Sequence, residues 1–412
     1  MQQVVIVGGG QSGAQVAVEL RRLGHPAPIH IIAEEPELPY QRPPLSKQYL
    51  QGQFNEARLR VKPAEWWGEN NVTVHTDSRA LALDLDGRRV QLDGAGWVSW
   101  SHLVLATGVE PVRLPIEGAD LEGVHYLRTR HDSDRLREAL GGGGRLVVIG
   151  GGYIGLEVAA VAVEAGLRVE LVELAERILQ RVTSPFISEF YTRLHSGRGA
   201  VIHTGTGVER LIGEAGRITG VVTSSGQTLP ADAAVIGVGV RPRVELAEAA
   251  GLPCDNGICV DEFARTPVAG VYACGDCSSH PNALLGARLR LESVPNALEQ
   301  ARTVAADIAG SPAAYSQIPW FWSDQYDVKL QLAGLVRPEY DGVLRGDVDA
   351  GEFLYFYLDA ERRVRAVEAV NRPREFLALR RALHRFPRVE DPSALAEDGN
   401  DYLDQLTAAA AG

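Results

Sequence analysis

Residues 4–13 read VVIVGGGQSG and residues 146–155 read LVVIGGGYIG. Each stretch is an apolar strand, a Gly-x-Gly-x-x-Gly turn and the start of a helical pattern. The first turn holds Gly8, Gly10 and Gly13, and the second holds Gly150, Gly152 and Gly155. In such a turn the first glycine permits the tight bend, the second lets the backbone approach a pyrophosphate, and the third lets helix and strand pack closely. The helix N-terminus then offers its unpaired N–H groups and positive dipole end to the anion. One such motif is weak evidence, but here two stand in the same strand-to-helix context. Each is also closed by an acidic residue at the end of the next apolar strand, Glu34 after IHIIA and Glu173 after RVELV. A carboxylate there accepts hydrogen bonds from ribose hydroxyls and repels a 2'-phosphate, so Glu173 predicts NADH over NADPH at the second site.

Further strands follow each unit. HLVLATG (102–108) and AAVIGVGVRP (233–242) stand where a parallel sheet resumes after an antiparallel ribbon. The ribbons show as alternating stretches with turns at Asp86-Gly87 and Glu214-Ala215-Gly216. The expected class is α/β: two Rossmann-like dinucleotide-binding domains, the second inserted in the first, plus an α+β C-terminal domain. Residues 1–113 and 245–318 are expected to form the first, 114–244 the second, and 319–412 the last.

Composition narrows the function classes. The chain has 412 residues, 45% of them hydrophobic, and no apolar run approaches a membrane span. A net charge of -12 argues against general nucleic-acid binding. The first residues enter a strand directly, without the pattern of a signal peptide, and a cytoplasmic location is expected. The polar tail AEDGNDYLDQLTAAAAG (396–412) is expected to be mobile.

Four cysteines fit a reducing compartment. Cys274 and Cys277, in ACGDC (273–277), have the spacing of a redox dithiol, yet they flank Gly275-Asp276 at the end of an apolar strand. Cys254 and Cys259 are expected to pack a turn, and no metal site is expected, since no His cluster accompanies them. The Gly-Asp pair resembles the second flavin fingerprint of the two-dinucleotide-binding-domain flavoproteins, with their glutathione reductase-like fold. Members with disulfide chemistry carry cysteines on the helix after the first acidic residue, and this chain has LPYQRPPLSKQYL (38–50) there.

Five co-linear stretches, PYQRPPLSK, GGYIGLEVA, YACGDC, LESVPNALEQA and PWFWSDQY, make the whole chain resemble the FAD-dependent NADH:ferredoxin reductases of bacterial oxygenase systems, of the putidaredoxin reductase and biphenyl dioxygenase reductase type. The resemblance implies that Gly8, Gly10, Ser12 and Gly13 hold the FAD pyrophosphate, Glu34 the adenosine ribose and Asp276 the ribityl chain. It implies further FAD contacts from Arg42, Lys47, Ala80, Arg128 and the backbone N–H of Val294. Gly150, Gly152, Gly155 and Glu173 would take NADH. The resemblance likewise implies that Lys47 and Glu157 form a pair beneath the flavin edge and that Trp322 lies near the flavin on the ferredoxin side. Hydride transfer from nicotinamide to flavin requires stacked rings and excluded water but no protein acid or base.

The resemblance also implies a [2Fe-2S] ferredoxin as acceptor, supplying an oxygenase of cytochrome P450 type, and a monomer or weak dimer. Residues 360–390 contain nine Arg and four Glu, so Arg380, Arg381 and Arg385 are expected to steer an acidic ferredoxin. Alternatives are the reductase of a Rieske dioxygenase, a rubredoxin reductase, an NADH oxidase and an NADH-sensing flavoprotein of the apoptosis-inducing factor type.

Overall fold

Val4–Val7, all four residues buried, form the middle strand of a five-stranded parallel sheet. A strand with no polar position cannot face water on either side, which is the signature of a parallel sheet covered on both faces. Its neighbours are Ile29–Ile32 and His102–Leu105, and Val72–His75 and Val271–Ala273 lie at the edges. A second sheet repeats this order around Arg145–Ile149. It has Arg168–Val172 and Val201–His203 on one side, and Ala233–Ile236 and Val124–His125 on the other, all parallel. The two sheets differ in where the fifth strand comes from. In the second it precedes the glycine turn, whereas in the first it arrives only at residue 271. The insertion of one dinucleotide-binding fold in the other is therefore written into the strand order.

This computed structural model describes residues 3–94, 96–397 and Leu406, so most of the expected mobile tail lies outside the described residues. The chain divides into two compact units. The first comprises Met1–Arg42, Asn55–Glu110 and Arg241–Trp320, and the second comprises Pro43–Phe54, Pro111–Val240 and Phe321–Gly412. Each carries a three-stranded antiparallel ribbon, Ala80–Asp84, Arg89–Leu92 and Gly96–Ser99 in the first and Val208–Glu214, Arg217–Thr223 and Thr228–Pro230 in the second. Among the described residues, no helix is long and apolar enough to cross a membrane.

The second unit also contains, apart from its first residue Trp320, a five-stranded antiparallel sheet in the order Trp320–Gln325, Val328–Gly334, Val364–Val370, Glu352–Leu358 and Asp341–Asp347, with the helix Pro373–Ala382 against it. Its apolar face packs on the helix Pro185–Gly197 through Phe353, whose ring lies edge-on to Phe190 at 5.1 Å. Fully buried beside these rings is Glu368. Its carboxylate accepts from the Thr183 hydroxyl, at 2.7 and 2.6 Å to its two oxygens, and from the Tyr357 hydroxyl. Burial outweighs these donors and pushes Glu368 up to about 7.

The sign of the resulting pH dependence follows. The folded state keeps a proton on Glu368 that the unfolded chain releases near its ordinary value of 4.5, so stability falls as pH rises from there to about 7. The group's contribution to that fall is on the order of 3 kcal/mol. Glu368→Gln should flatten the loss, and urea unfolding midpoints measured between pH 5 and 8 should converge on the acidic-side value.

Candidate active site

Two helix N-termini, one in each unit, are built alike. In the first unit Gly8 has φ +125°, and a Cβ on it would stand 2.1 Å from the Ala106 carbonyl oxygen. A Cβ on Gly13 would stand 2.0 Å from the oxygen of Gly8, so only glycine lets the helix Gln11–Arg22 start this close to its strand. Gly10 is the N-cap, with no side-chain cap, no acidic residue in the first turn and nothing within 4 Å of the place a Cβ would take. The second unit repeats the arrangement. Gly150 has φ +111° and backs onto the Gly237 oxygen, Gly155 backs onto Gly150, and Gly152 caps the helix Tyr153–Glu164 with the same open space. A polar helix end left uncapped by its own chain is a prepared anion site.

The strand-end carboxylates are held differently. Glu34 is exposed and pairs with Arg243 at 2.7 Å and Arg79 at 3.6 Å. Glu173 is fixed over its glycine turn, one oxygen accepting from the Gly151 N–H at 2.6 Å and the other from the Ala175 N–H at 2.8 Å. Both retain lone pairs for further donors.

Around the first turn the structure gathers several of the expected residues. Ser12 is buried, its hydroxyl 3.0 Å from the Cys274 sulfur and 3.1 Å from the Ala297 carbonyl. The side chain thus ties this helix to the loop before Asp276 and to the helix Val294–Ile308. Gly275 has φ +80°, its N–H donates to Gln300 Oε1 at 2.7 Å, and a Cβ on it would touch Ser12. Val294 opens its helix behind the N-cap Ser293, with no acidic residue in the first turn. Arg42 pairs with Glu35 at 2.5 Å; burial alone would weaken its charge, but Tyr40, Glu35 and Asp276 outweigh burial and raise it. Ala80 begins the ribbon, paired with Leu92.

Lys47, Arg128 and Trp322 belong to the second unit. The Arg128 backbone N–H donates to Asp132 at 3.1 Å, beside the capping box of the helix Arg130–Gly141. Lys47 and Glu157 meet at 2.6 Å with side chains 10% and 5% exposed. Glu157 also accepts from Ser46 at 2.5 Å and, on its other oxygen, from Ser323 at 2.6 Å. Trp322 precedes Ser323 on its strand, and the alternation of strand side chains turns it to the opposite face. Arg243, Ser46 and Ser323 escaped the sequence reading, although PYQRPPLSK contains Ser46 and PWFWSDQY contains Ser323, whereas Arg243 lies in neither. Arg381 and Arg385 are exposed and Arg380 half-buried, on and just after the helix Pro373–Ala382.

Comparisons with known proteins agree with this geometry. The pyridine nucleotide-disulphide oxidoreductase model matches residues 2–301, and the reductase C-terminal model matches residues 320–406. Rhodocoxin reductase of Rhodococcus erythropolis is 43% identical over 380 residues, 92% of this chain and 89% of that one. The ferredoxin–NAD(+) reductase component of the anthranilate 1,2-dioxygenase system of Burkholderia cepacia is 40% identical over 395 residues, 95% and 96% of the two chains. A crystal structure of the covalent putidaredoxin reductase–putidaredoxin complex superposes with a TM-score of 0.95, at 38% identity, covering 100% of this chain and 99% of that one. The chain belongs to the pyridine nucleotide-disulphide oxidoreductase family, in the group of putidaredoxin reductase and its relatives. It is an oxidoreductase, and FAD and NAD(H) are the cofactors of that family. The two uncapped glycine turns, each with its strand-end carboxylate, fit two dinucleotides.

The cysteines do not supply a disulfide centre. Cys274 and Cys277 are wholly buried, and burial pushes the Cys274 thiol up to about 12, so neither offers a thiolate. Cys254 and Cys259 are half-buried free thiols. A thiol reagent added to the native protein should therefore leave Cys274 and Cys277 unmodified until denaturant is present, as peptide mass mapping before and after unfolding would show.

Proposed function

We propose that this protein passes electrons from NADH, by way of bound FAD, to a [2Fe-2S] ferredoxin that supplies an oxygenase of cytochrome P450 type. The observation that carries the reading is the pair of dinucleotide cradles in one chain, one for a resident cofactor and one for a nucleotide that comes and goes. The acceptor is supported by a relative named as a ferredoxin–NAD(+) reductase component, which this chain matches across nearly its whole length. When bound, FAD takes two electrons as hydride and releases them singly, which is the chemistry a one-electron acceptor requires.

In this reading residues 1–113 and 245–318 hold FAD, residues 114–244 bind NADH, and residues 319–412 form the C-terminal domain. Gly8, Gly10, Ser12 and Gly13 present the N-terminus of their helix to the FAD pyrophosphate. Glu34 takes the adenosine ribose, Asp276 the ribityl chain, Arg42, Ala80 and Arg128 the remaining FAD contacts, and Val294 the pyrimidine edge. Gly150, Gly152 and Gly155 receive the NADH pyrophosphate. Glu173, pinned by two backbone amides, faces the ribose as a fixed carboxylate. Lys47 provides a localised cation near the hydride-accepting edge, and Glu157 holds its ammonium in place. Trp322 lies on the ferredoxin side. The location is cytoplasmic and the protein acts as a monomer or weak dimer. The P450 assignment rests on PYQRPPLSK and VPNALEQA, and a reconstituted system with P450 or Rieske oxygenase partners separates the two.

Replacing Glu173 by Ala should reduce the preference for NADH over NADPH about tenfold in kcat/KM, the worth of one repulsive charge relieved and one hydrogen-bonded hydroxyl lost. Equal kcat/KM ratios in the variant and the parent would remove Glu173 from the nucleotide site. Neutralising Arg380, Arg381 and Arg385 together should lower ferredoxin turnover and flatten its salt dependence while NADH-ferricyanide activity stays intact. Parallel losses in both assays would place the docking surface elsewhere.

A further inference from the structure

Glu157 stands at the end of a chain of buried polar side chains that the reductase reading leaves unexplained. Its Oε1 is 2.6 Å from Ser323 Oγ, which is 3.1 Å from Gln325 Nε2. Gln325 Oε1 is 2.8 Å from His195 Nε2, and His195 Nδ1 is 3.2 Å from the Tyr326 hydroxyl. Ser323, Gln325 and His195 are each fully buried, and Tyr326 is half-buried with the Arg198 guanidinium over its ring at 5.1 Å. All of these residues lie in the second compact unit.

The donors and acceptors permit only one polarity while Glu157 is ionised. A carboxylate only accepts, so Ser323 must spend its single proton on Glu157. The Ser323 oxygen must then accept, which turns the Gln325 NH2 toward it and the Gln325 carbonyl toward His195. That carbonyl needs a proton on His195 Nε2, which leaves Nδ1 bare to accept from Tyr326. Burial holds His195 below its ordinary range and pushes Tyr326 up to about 12, so the imidazole is neutral and the phenol keeps its proton. Every bond in the chain therefore points the same way, toward the carboxylate that holds Lys47.

We propose that Ser323, Gln325 and His195 form a one-way hydrogen-bond wire that fixes Glu157 as an oriented, acceptor-only carboxylate, making Ser323 and Gln325 positioning residues for the Lys47–Glu157 pair. The wire polarises the site and does not conduct protons. An outward proton hop would have to land on the amide nitrogen of Gln325, whose lone pair is delocalised into the carbonyl and does not accept a proton. Reversal requires three linked events, a proton or other donor placed on the side chain at position 157, a flip of the Gln325 amide and a change of His195 tautomer. The functional half of this inference rests on the assignment of Lys47 and Glu157 to the hydride-transfer site, whereas the polarity does not.

The test uses the full-length protein labelled with 15N-histidine. In the parent, His195 should show the Nε2–H tautomer by its ring nitrogen shifts. Glu157→Gln should invert it. The new amide must keep its oxygen toward Lys47 and Ser46, so its NH2 faces Ser323, Ser323 donates to a flipped Gln325, and His195 becomes Nδ1–H. An Nδ1–H tautomer in the parent, or no change in the variant, overturns the wire. In the FAD-loaded protein, Ser323→Ala should slow anaerobic flavin bleaching by NADH about tenfold, the worth of one hydrogen bond to a charged acceptor, with little change in the NADH concentration for half-saturation. Ser323→Thr should restore the rate. Should Ser323→Ala bleach as fast as the parent while Glu157→Gln is slow, the positioning role fails. If Glu157→Gln itself bleaches normally, the assignment of the pair fails, and the tautomer inversion still decides the wire.

Discussion

A carbonyl oxygen with room beside it for a hydrogen atom but not for a methyl group governs this structure twice. The oxygen of Gly8 lies where a side chain on Gly13 would begin, and the oxygen of Gly150 does the same to Gly155. Because the contact is so close, each helix starts directly above its strand and aims its first N–H groups out of the sheet at Gly10 and Gly152, where no side chain obstructs them. The carboxylates Glu34 and Glu173 owe their positions to the same constraint, since each ends the strand adjacent to the one the turn follows. A larger residue at either third glycine would push the helix away, and the anion site would lose the dipole end that makes it one.

Ion pairs in the molecule fall into two kinds with different meanings. Most, such as Arg217 with Glu122 or Arg210 with Glu209, are exposed and add little to stability. Lys47 and Glu157 are buried, and desolvating two charges costs enough that such a pair seldom persists for stability alone. Three donors reach the two oxygens of the Glu157 carboxylate, and a buried charge survives when it is paired and hydrogen-bonded in this way. The Glu157 carboxylate is therefore held in one orientation.

What could be read from sequence was whatever is local or periodic. The glycine turns announce themselves within ten residues, and the fully apolar strands before them admit only a covered parallel sheet. The CGDC stretch was legible as part of the fold because the strand pattern continues through it, and the burial of both thiols agrees. Glu157 has no local signature, being one of two acidic residues on a largely apolar helix, and only resemblance singled it out. Its partner Ser323 lies 166 residues away, and Arg243 lies 209 residues from Glu34. Such contacts are set by how sheets pack rather than by any nearby pattern. The grouping of the antiparallel sheet with the second parallel sheet in one compact unit was likewise invisible, because it depends on Phe186 and Phe190 meeting Phe353 and Tyr355.

The strand order has a consequence for how the chain is made. The second parallel sheet draws all its strands from residues 124–203 and 233–236, so a growing chain can close it as one contiguous piece. The first sheet cannot close until Val271–Ala273 leaves the ribosome, long after His102–Leu105, the strand it must cover, has emerged. At about 5–20 residues per second that interval is on the order of ten seconds or more. Throughout it a largely apolar strand stands as an open edge, an invitation to wrong pairing. The earliest glycine turn in the sequence is thus among the last to be finished, and the inserted fold matures while its host waits.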